Sequence, residues 1–166
     1  MAIREYRPED FNALWRLDQE CFAPEIAYSR FELMHYIRRK NSFTLIHEDE
    51  EGICGFVVGE VRGGIRKPQS TANRAGHIIT LDVAQGVRRK RVGTRLMDAA
   101  ESRLLSAGCD AVYLEAAVDN ETAIKFYKRR GYLVLSVIPR YYHDKLDALL
   151  MGKKLGDKAE ASKNRG

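Results

Sequence analysis

Apolar residues recur along the chain with two different spacings, and the change of spacing predicts alternating strands and helices. After a short N-terminal strand over 2–7, Pro8 and the two acids behind it open a helix in the orientation that the helix dipole favours. The apolar positions of this helix recur at helical spacing and form one buried stripe: Phe11, Leu14, Leu17 and Cys21. Ser29 followed by Glu32 is a capping box, which predicts that a second helix starts near residue 30.

The rest of the chain alternates runs rich in β-branched residues with two further amphipathic segments. The apolar runs predict strands at 42–48, 52–61, 77–84, 111–117, 132–138 and 147–155. The amphipathic segments predict helices at about 92–107 and 120–130, ended by Gly108 and Gly131, and a polar loop is expected at 62–76. The resulting order is β-α-α-β-β-β-α-β-α-β-β, an α/β fold with a mixed central sheet of about six to seven strands and about four helices.

Composition favours one globular domain that does not cross a membrane. The chain has 166 residues, 45% of them apolar, and no apolar run approaches the ~18–20 residues that a bilayer crossing needs. We expect a single domain over 1–155 and a flexible basic tail over 156–166. The N-terminus has no apolar signal segment, and Cys21, Cys54 and Cys109 are widely spaced within apolar patterns. These features predict a cytoplasmic protein with reduced thiols and no metal site.

Positive charge is concentrated immediately before the predicted helix at 92–107. The net charge is +5, and four cations stand in a row: Arg88, Arg89, Lys90 and Arg91. A helix N-terminus already carries partial positive charge, so further cations there repel one another unless an anion is bound. A basic loop between a strand and a helix is typical of a phosphate or pyrophosphate site. From the spacing alone, a solvated basic face is an equally good interpretation.

The segment RRKRVGT at 88–94 resembles the acyl-CoA pyrophosphate loop of the GNAT acetyltransferases, whose pattern is Q/R-x-x-G-x-G/A. Arg88 and Gly93 match the first and last positions, but Arg91 replaces the first glycine. Arginine is strained there if the backbone needs a positive φ and harmless if the backbone is helical. The resemblance implies a GNAT fold that binds acetyl-CoA through this loop, the strand before it and two later residues: Leu81, Val83, Arg88, Arg89, Lys90, Arg91, Val92, Gly93, Thr94, Asn120 and Tyr127.

Three further segments extend the resemblance. Residues 113–132 resemble the family's strand and asparagine-headed helix, and Asn120 is also expected to cap that helix. Residues 140–151 resemble the YY…DA..M ending of the protein N-terminal acetyltransferases, which include the ribosomal-protein alanine enzymes, although the glycine of their YxDGxDA pattern is missing. Residues 22–29 correspond to their substrate loop. The resemblance implies that a protein N-terminus, a ribosomal protein among the candidates, is bound by Pro24, Glu25, Tyr28, Tyr141 and Tyr142.

Three residues are candidates for moving protons during acetyl transfer. Glu115 is the only acid in the apolar stretch 111–118, and the resemblance implies a catalytic glutamate at this strand position, acting as general base through a bound water. His77 begins a neighbouring strand and would share or relay the proton. Tyr127 is the candidate general acid for the CoA sulfur. Each also has a structural interpretation: an ion-paired glutamate, a histidine at a strand entrance and a tyrosine in the core.

Two other classes of function stay open at this point. GNAT folds also acetylate lysine side chains and small-molecule amines, so the acceptor is not fixed by the fold. A non-catalytic module that binds CoA or nucleic acid through the basic stretch is the second alternative. Nucleic acid is disfavoured because the aromatic residues are not interleaved with the basic ones. If the chain is an acetyltransferase, direct attack in a ternary complex is expected, since no cysteine lies in a candidate catalytic motif.

Overall fold

The structure is a computed structural model that describes residues 2–63, 74–88 and 90–156. Over these ranges the chain forms seven strands: β1 (Ala2–Glu5), β2 (Ser42–Asp49), β3 (Gly52–Arg62), β4 (Arg74–Val83), β5 (Cys109–Ala117), β6 (Leu133–Tyr142) and β7 (Leu146–Lys154). It also forms four α-helices: α1 (Phe11–Cys21), α2 (Arg30–Arg38), α3 (Val92–Ser106) and α4 (Glu121–Arg129). The predicted element order and the α/β class are confirmed.

The strands form a single sheet in the order β1-β2-β3-β4-β5-β7-β6. Adjacent strands are antiparallel in the pairs β1–β2, β2–β3, β5–β7 and β6–β7. The register of β5 on β7 places Glu115, two residues before the end of β5, opposite Leu150 at the centre of β7. A central strand position of this kind holds a side chain in one orientation, because the backbone on both sides is fixed by hydrogen bonds.

Several element boundaries differ from the predicted ones. β4 begins at Arg74, inside the predicted loop 62–76, and the Arg74 guanidinium donates to the Ala107 carbonyl at 3.1 Å. This tertiary contact extends the strand into a polar stretch that carries no strand pattern. Pro8 starts a 3-10 turn, Pro8–Asp10, that leads into α1 rather than forming its first α-helical turn. The remaining loop residues 64–73 and the predicted tail from 157 onward lie outside the described residues.

The predicted helix ends agree with the structure at specific atoms. The Glu32 backbone N–H donates to Ser29 Oγ, and the Ser29 N–H donates to the Glu32 carboxylate, each at 3.1 Å. Gly108 and Gly131 follow α3 and α4 with φ of +89° and +95°, a conformation that residues with a Cβ avoid. The capping chemistry therefore fixes where these helices stop.

The chain divides into two compact units. Unit 1 comprises residues 1–60 and 78–102, and unit 2 comprises residues 61–77 and 103–166. The core of unit 1 joins α1, α2 and two strands through buried apolar side chains: Phe11, Leu14, Leu17, Leu33, Ile46, Phe56 and Val58. In unit 2, the buried apolar side chains of β5 and β7 include Val112, Leu114, Ala148 and Met151. That residues 1–155 act as a single domain stays a prediction.

No helix within the described ranges has the length and apolar character that a membrane span requires. The three cysteines are free thiols, with Cys54 and Cys109 buried and Cys21 half-buried. Cys21 was predicted to lie in the buried stripe of α1, and it lies at the margin of that stripe because it is the last residue of the helix.

Candidate active site

His77 and Glu115 form a close pair within unit 2. His77 lies in β4 and Glu115 near the C-terminal end of β5, and His77 Nε2 lies 2.7 Å from Glu115 Oε2. Their side chains are only 9% and 14% exposed. A hydrogen bond of this length between an imidazole and a carboxylate, largely withdrawn from water, lets a proton be held by either group. Both residues are sequence-predicted candidates, and the structure brings them into contact.

Unit 2 also contains two of the predicted site tyrosines, Tyr142 and Tyr127. Burial raises the pKa of the Tyr142 phenol, and the nearby Tyr141, Glu115 and Tyr127 raise it further. Tyr142 therefore stays a neutral hydrogen-bond donor over the physiological pH range. Tyr127, on α4, is only 8% exposed, and its ring meets that of Tyr132 edge-on with centroids 5.6 Å apart.

The position of Tyr127 depends on how α4 begins. Asn120 is the N-cap of α4, and its side-chain oxygen accepts a hydrogen bond from the Ala123 N–H at 3.2 Å. At the other end, the Tyr132 N–H donates to the Tyr127 carbonyl at 3.0 Å. The predicted cap at Asn120 is confirmed. This alone gives Asn120 a structural role.

The tyrosine pair at the end of β6 precedes an unusual turn. The rings of Tyr141 and Tyr142 are perpendicular, with centroids 4.9 Å apart. The Lys145 N–H then donates to the Tyr142 carbonyl at 3.0 Å, and the two residues between them, His143 and Asp144, have φ of 49° and 59°. Lys145 occupies the place of the family's missing glycine, yet its own φ is not positive. The loss of that glycine is therefore tolerated, because the left-handed conformation falls on other residues.

The basic loop lies in unit 1, directly after β4. A 3-10 turn over Gln85–Val87 leads into the loop, whose described cations Arg88, Lys90 and Arg91 are exposed. Arg88 Nε donates to the Val83 carbonyl at 3.3 Å, which ties the loop back to β4. Arg89 lies outside the described residues. These exposed cations give the loop a positive potential.

The structure shows whether Arg91, at the position of the first motif glycine, has a left-handed or a helical backbone. Its φ is +62°, so the residue at the position of the first motif glycine is left-handed. Its carbonyl accepts the Arg95 N–H at 3.0 Å, the first hydrogen bond of α3. A left-handed residue with a Cβ costs ~1–2 kcal/mol, so the chain keeps arginine here against a backbone preference for glycine. The first N–H groups of α3, from Val92 to Thr94, have no intrahelical acceptor, as at every helix N-terminus.

The β4 residues predicted to bind the cofactor are held from within unit 1. Leu81 and Val83 are half-buried. The Val83 carbonyl accepts hydrogen bonds from Cys21 Sγ and from Arg88 Nε, each at 3.3 Å. This carbonyl is therefore already satisfied inside the protein. Burial raises the pKa of the Cys21 thiol to about 11.

The loop 22–29 between α1 and α2 carries the predicted acceptor residues of unit 1. Pro24 and Glu25 are exposed on a turn in which the Ile26 and Ala27 N–H groups donate to the Ala23 carbonyl. Tyr28 is half-buried, and its ring packs against Tyr36 with centroids 5.2 Å apart. The loop is therefore exposed at Pro24 and Glu25 and packed against α2 at Tyr28.

The sequence analysis missed two buried aspartates of unit 1, Asp18 and Asp82. Both side chains are fully buried, at 0% exposure. Their positions carried a signal: Asp18 lies four residues after Leu14 on the apolar face of α1, and Asp82 interrupts the apolar run of β4. Within the described ranges, no cluster of three or more metal-ligating side chains is present.

Comparisons with known proteins are consistent with this geometry. The sequence model described as the acetyltransferase (GNAT) family matches residues 11–132. An uncharacterized N-acetyltransferase of Methanocaldococcus jannaschii is 29% identical over 155 residues, which cover 93% of this chain and 92% of that protein. An N-alpha-acetyltransferase of Sulfurisphaera tokodaii is 26% identical over 156 residues, 92% of each chain. The crystal structure of Naa20 of Chaetomium thermophilum with a bisubstrate analogue matches with a TM-score of 0.78 and 26% identity, covering 96% of this chain and 90% of that one.

Proposed function

The chain belongs to the acetyltransferase (GNAT) family and is an acyltransferase, and from that premise we propose that it transfers the acetyl group of acetyl-CoA to the α-amine of protein or peptide N-termini. The similarity to an N-alpha-acetyltransferase over 92% of each chain supports this acceptor class. The observation that carries the proposal is the contact between His77 and Glu115 in unit 2.

Glu115 acts as the general base for the attacking amine. A free α-amine has a pKa of about 7.7–8.0, so a large share is already neutral at physiological pH and a weakly basic carboxylate is sufficient. Glu115 takes the proton that the nitrogen loses, through a bound water, and His77 at 2.7 Å shares it. A lysine side chain, with a pKa near 10.4, requires a stronger base. This pair therefore suits an α-amine better than a lysine.

Tyr127 acts as the general acid. As the nitrogen–carbon bond forms and the carbon–sulfur bond breaks, the sulfur of the leaving CoA needs a proton, which the Tyr127 hydroxyl donates. The Asn120 cap and the ring of Tyr132 fix this side chain on α4. No covalent intermediate on the protein is needed, since amine and thioester react directly.

Acetyl-CoA supplies the activated acyl group and a pyrophosphate by which it is held. The exposed Arg88, Lys90 and Arg91 and the N-terminal N–H groups of α3 suit this anion. The positive φ of Arg91 supports the assignment, because it is the conformation that the first glycine of the family's loop pattern permits. Leu81, Val83 and Asn120 are proposed to contact the pantetheine arm.

The residues proposed to bind the acceptor N-terminus are Tyr141 and Tyr142 in unit 2 and the loop residues Pro24, Glu25 and Tyr28 in unit 1. A phenol that stays neutral, such as that of Tyr142, is suited to donate a hydrogen bond to a peptide carbonyl. A ribosomal protein as the natural acceptor and a cytoplasmic location stay predictions.

A peptide assay read by tandem mass spectrometry tests the proposal. Peptides with varied free N-termini, each with an internal lysine, are incubated with acetyl-CoA and the protein. We expect acetylation of α-amines with a preference among first residues, and intact-protein mass spectra without an acetyl adduct during turnover. Acetylation of lysine only, or of no peptide, overturns the proposed acceptor. The same peptides blocked at the N-terminus are the control.

A further inference from the structure

Two fully buried carboxyl groups meet in unit 1. Asp18 lies near the end of α1, and its Oδ2 accepts a hydrogen bond from the Tyr28 N–H at 2.8 Å and one from Gln19 Nε2 at 3.5 Å. Asp82 lies in β4, and its Oδ1 accepts a hydrogen bond from Thr80 Oγ1 at 2.6 Å. Each carboxyl thus has one oxygen bound to a donor from the protein.

The second oxygen of each carboxyl is the unusual part. Asp18 Oδ1 and Asp82 Oδ2 are buried, and neither has a donor among the described residues. Each carboxyl is close enough to the other to shift its pKa. A direct hydrogen bond between the two groups requires a proton, because two carboxylates offer only acceptors. Burial, together with the charge and hydrogen bond of Asp18, holds the pKa of Asp82 well above its ordinary value.

Among the described residues, no cation forms an ion pair with either aspartate that would replace that proton. From α2, Glu32 adds negative charge near Asp18, and from α1 the half-buried Cys21 thiol faces Asp82. Arg88 of the basic loop acts on Cys21, and within the described part of the chain neither aspartate forms an ion pair with a lysine or arginine. Two like charges buried together cost far more than one, so the pair keeps a single negative charge.

We propose that Asp18 and Asp82 share one proton, and that this buried acid–carboxylate pair fixes the acceptor loop 22–29 to β4. The proton is on Asp82 Oδ2 and is donated to Asp18 Oδ1. Asp18 carries the charge, because it accepts the backbone N–H of Tyr28. The part concerning the acceptor rests on the function proposed above, whereas the shared proton does not.

The pair holds the closing end of the loop by its backbone. Asp18 accepts the Tyr28 N–H, while Gln19 Nε2 and Trp15 Nε1 donate to the Tyr28 carbonyl at 2.7 and 3.2 Å. Both peptide groups of Tyr28 are thus fixed by α1, and Asp82 connects Asp18 to β4. Asp18 and Asp82 are positioning residues, since they act on the acceptor through Tyr28.

The shared proton is tested by the pH dependence of stability. The native state keeps a proton that the unfolded chain releases above about pH 4, so the stability of the wild type falls as pH rises until the native pair itself titrates. In Asp82→Asn the amide replaces the acid as a permanent donor to Asp18. We expect the unfolding equilibrium constant of the wild type, relative to Asp82→Asn, to rise by up to about tenfold per pH unit between pH 5 and 7 in urea titrations. Parallel curves for the two proteins overturn the proposal.

The effect on the loop is tested by steady-state kinetics with an N-terminal peptide. Asp82→Leu removes the donor, and we expect the KM for the peptide to rise about tenfold at pH 7, equivalent to one lost hydrogen bond to a charged group, while the KM for acetyl-CoA stays within about twofold. Asp82→Asn should restore the peptide KM to within about twofold of wild type. If Asp82→Asn is impaired as strongly as Asp82→Leu, the hydrogen-bond assignment is wrong.

The two experiments separate the proposals. A wild type that acetylates no N-terminus but shows the pH-dependent stability difference disproves the proposed function and leaves the shared proton standing. An active wild type with parallel stability curves disproves the shared proton and leaves the function standing. If Asp82→Leu does not fold, the comparison of wild type with Asp82→Asn still decides the shared proton, and a peptide KM of Asp82→Asn more than about twofold above that of wild type overturns the hydrogen-bond assignment.

Discussion

Units 1 and 2 carry candidate residues of different chemical kinds. In unit 2, His77 and Glu115 form an acid–base pair that lets a proton move between unlike groups. In unit 1, Asp18 and Asp82 are like groups, and like groups hold a proton in place. Unit 1 also carries the basic loop, which suits a fixed anion. The comparison teaches that the acid–base pair of unit 2 is suited to reaction, whereas the aspartate pair and the basic loop of unit 1 are suited to binding. Variants of Glu115 should therefore change kcat, and variants of Asp82 and of the basic loop should change KM.

The largest effect is expected at Glu115. Glu115→Gln keeps the shape but removes the basic oxygen, so kcat for peptide acetylation should fall about 100-fold or more while either KM changes little. The measurement is initial rate against acceptor concentration at saturating acetyl-CoA. Glu50→Gln, an exposed acid in the turn after β2, is the matched control and should behave as wild type. A change in KM alone would break the division between the units.

Tyr127 is expected to give the next largest effect. Tyr127→Phe keeps the ring contacts with Tyr132 but removes the hydroxyl, so kcat should fall about 10- to 100-fold. Tyr132→Phe removes a hydroxyl from the neighbouring ring and serves as the control. Equal losses of kcat in the two variants would show that Tyr127 is a packing residue. The same conclusion follows if the loss in Tyr127→Phe does not shrink with a thioester whose leaving thiol is more acidic.

Substitutions in the basic loop are expected to change only the KM for acetyl-CoA. Arg88→Ala should raise the KM for acetyl-CoA about fivefold at low salt, and the difference from wild type should shrink at high salt because the cation is exposed. Lys125→Ala, which removes an exposed cation of α4, is the control. The idea fails if kcat falls instead, or if the salt dependence of both variants equals that of wild type.

The smallest effect is expected at Arg91, where two variants test whether the left-handed backbone is strained. Glycine accepts a φ of +62° without strain, whereas alanine, which has a Cβ, keeps the strain of the wild type. The free energy of unfolding in urea should therefore be about 1 kcal/mol larger for Arg91→Gly than for Arg91→Ala. Both variants lose the same charge and should lose the same affinity for acetyl-CoA. Equal stability of the two would mean that the left-handed backbone stores no strain.

Local chemistry was predictable from the sequence, and distant pairing was not. The order of elements, the Ser29 cap and the Asn120 cap depend on neighbouring residues and were predicted from them. The same holds for Glu115, whose isolation among apolar residues identified it. Asp18 and Asp82 are 64 positions apart in the sequence, so only folding brings them together.

Backbone conformation was the other limit. The sequence could not decide whether Arg91 is left-handed or helical, because arginine has no preference for a positive φ and the outcome is imposed by the connection from β4 to α3. Similarly, the missing glycine at Lys145 suggested an altered turn, but His143 and Asp144 take the left-handed positions instead. Tertiary geometry overrides local preference at these points.

The burial of the Cys21 thiol has a practical consequence for handling the protein. With a pKa of about 11, only roughly one Cys21 side chain in a thousand is ionised at pH 8, and the ionised form is the one that reacts with alkylating agents and peroxide. Burial also raises the pKa of Cys54 and Cys109. The folded protein should therefore resist iodoacetamide, and the rate of its labelling would report how often the native structure opens.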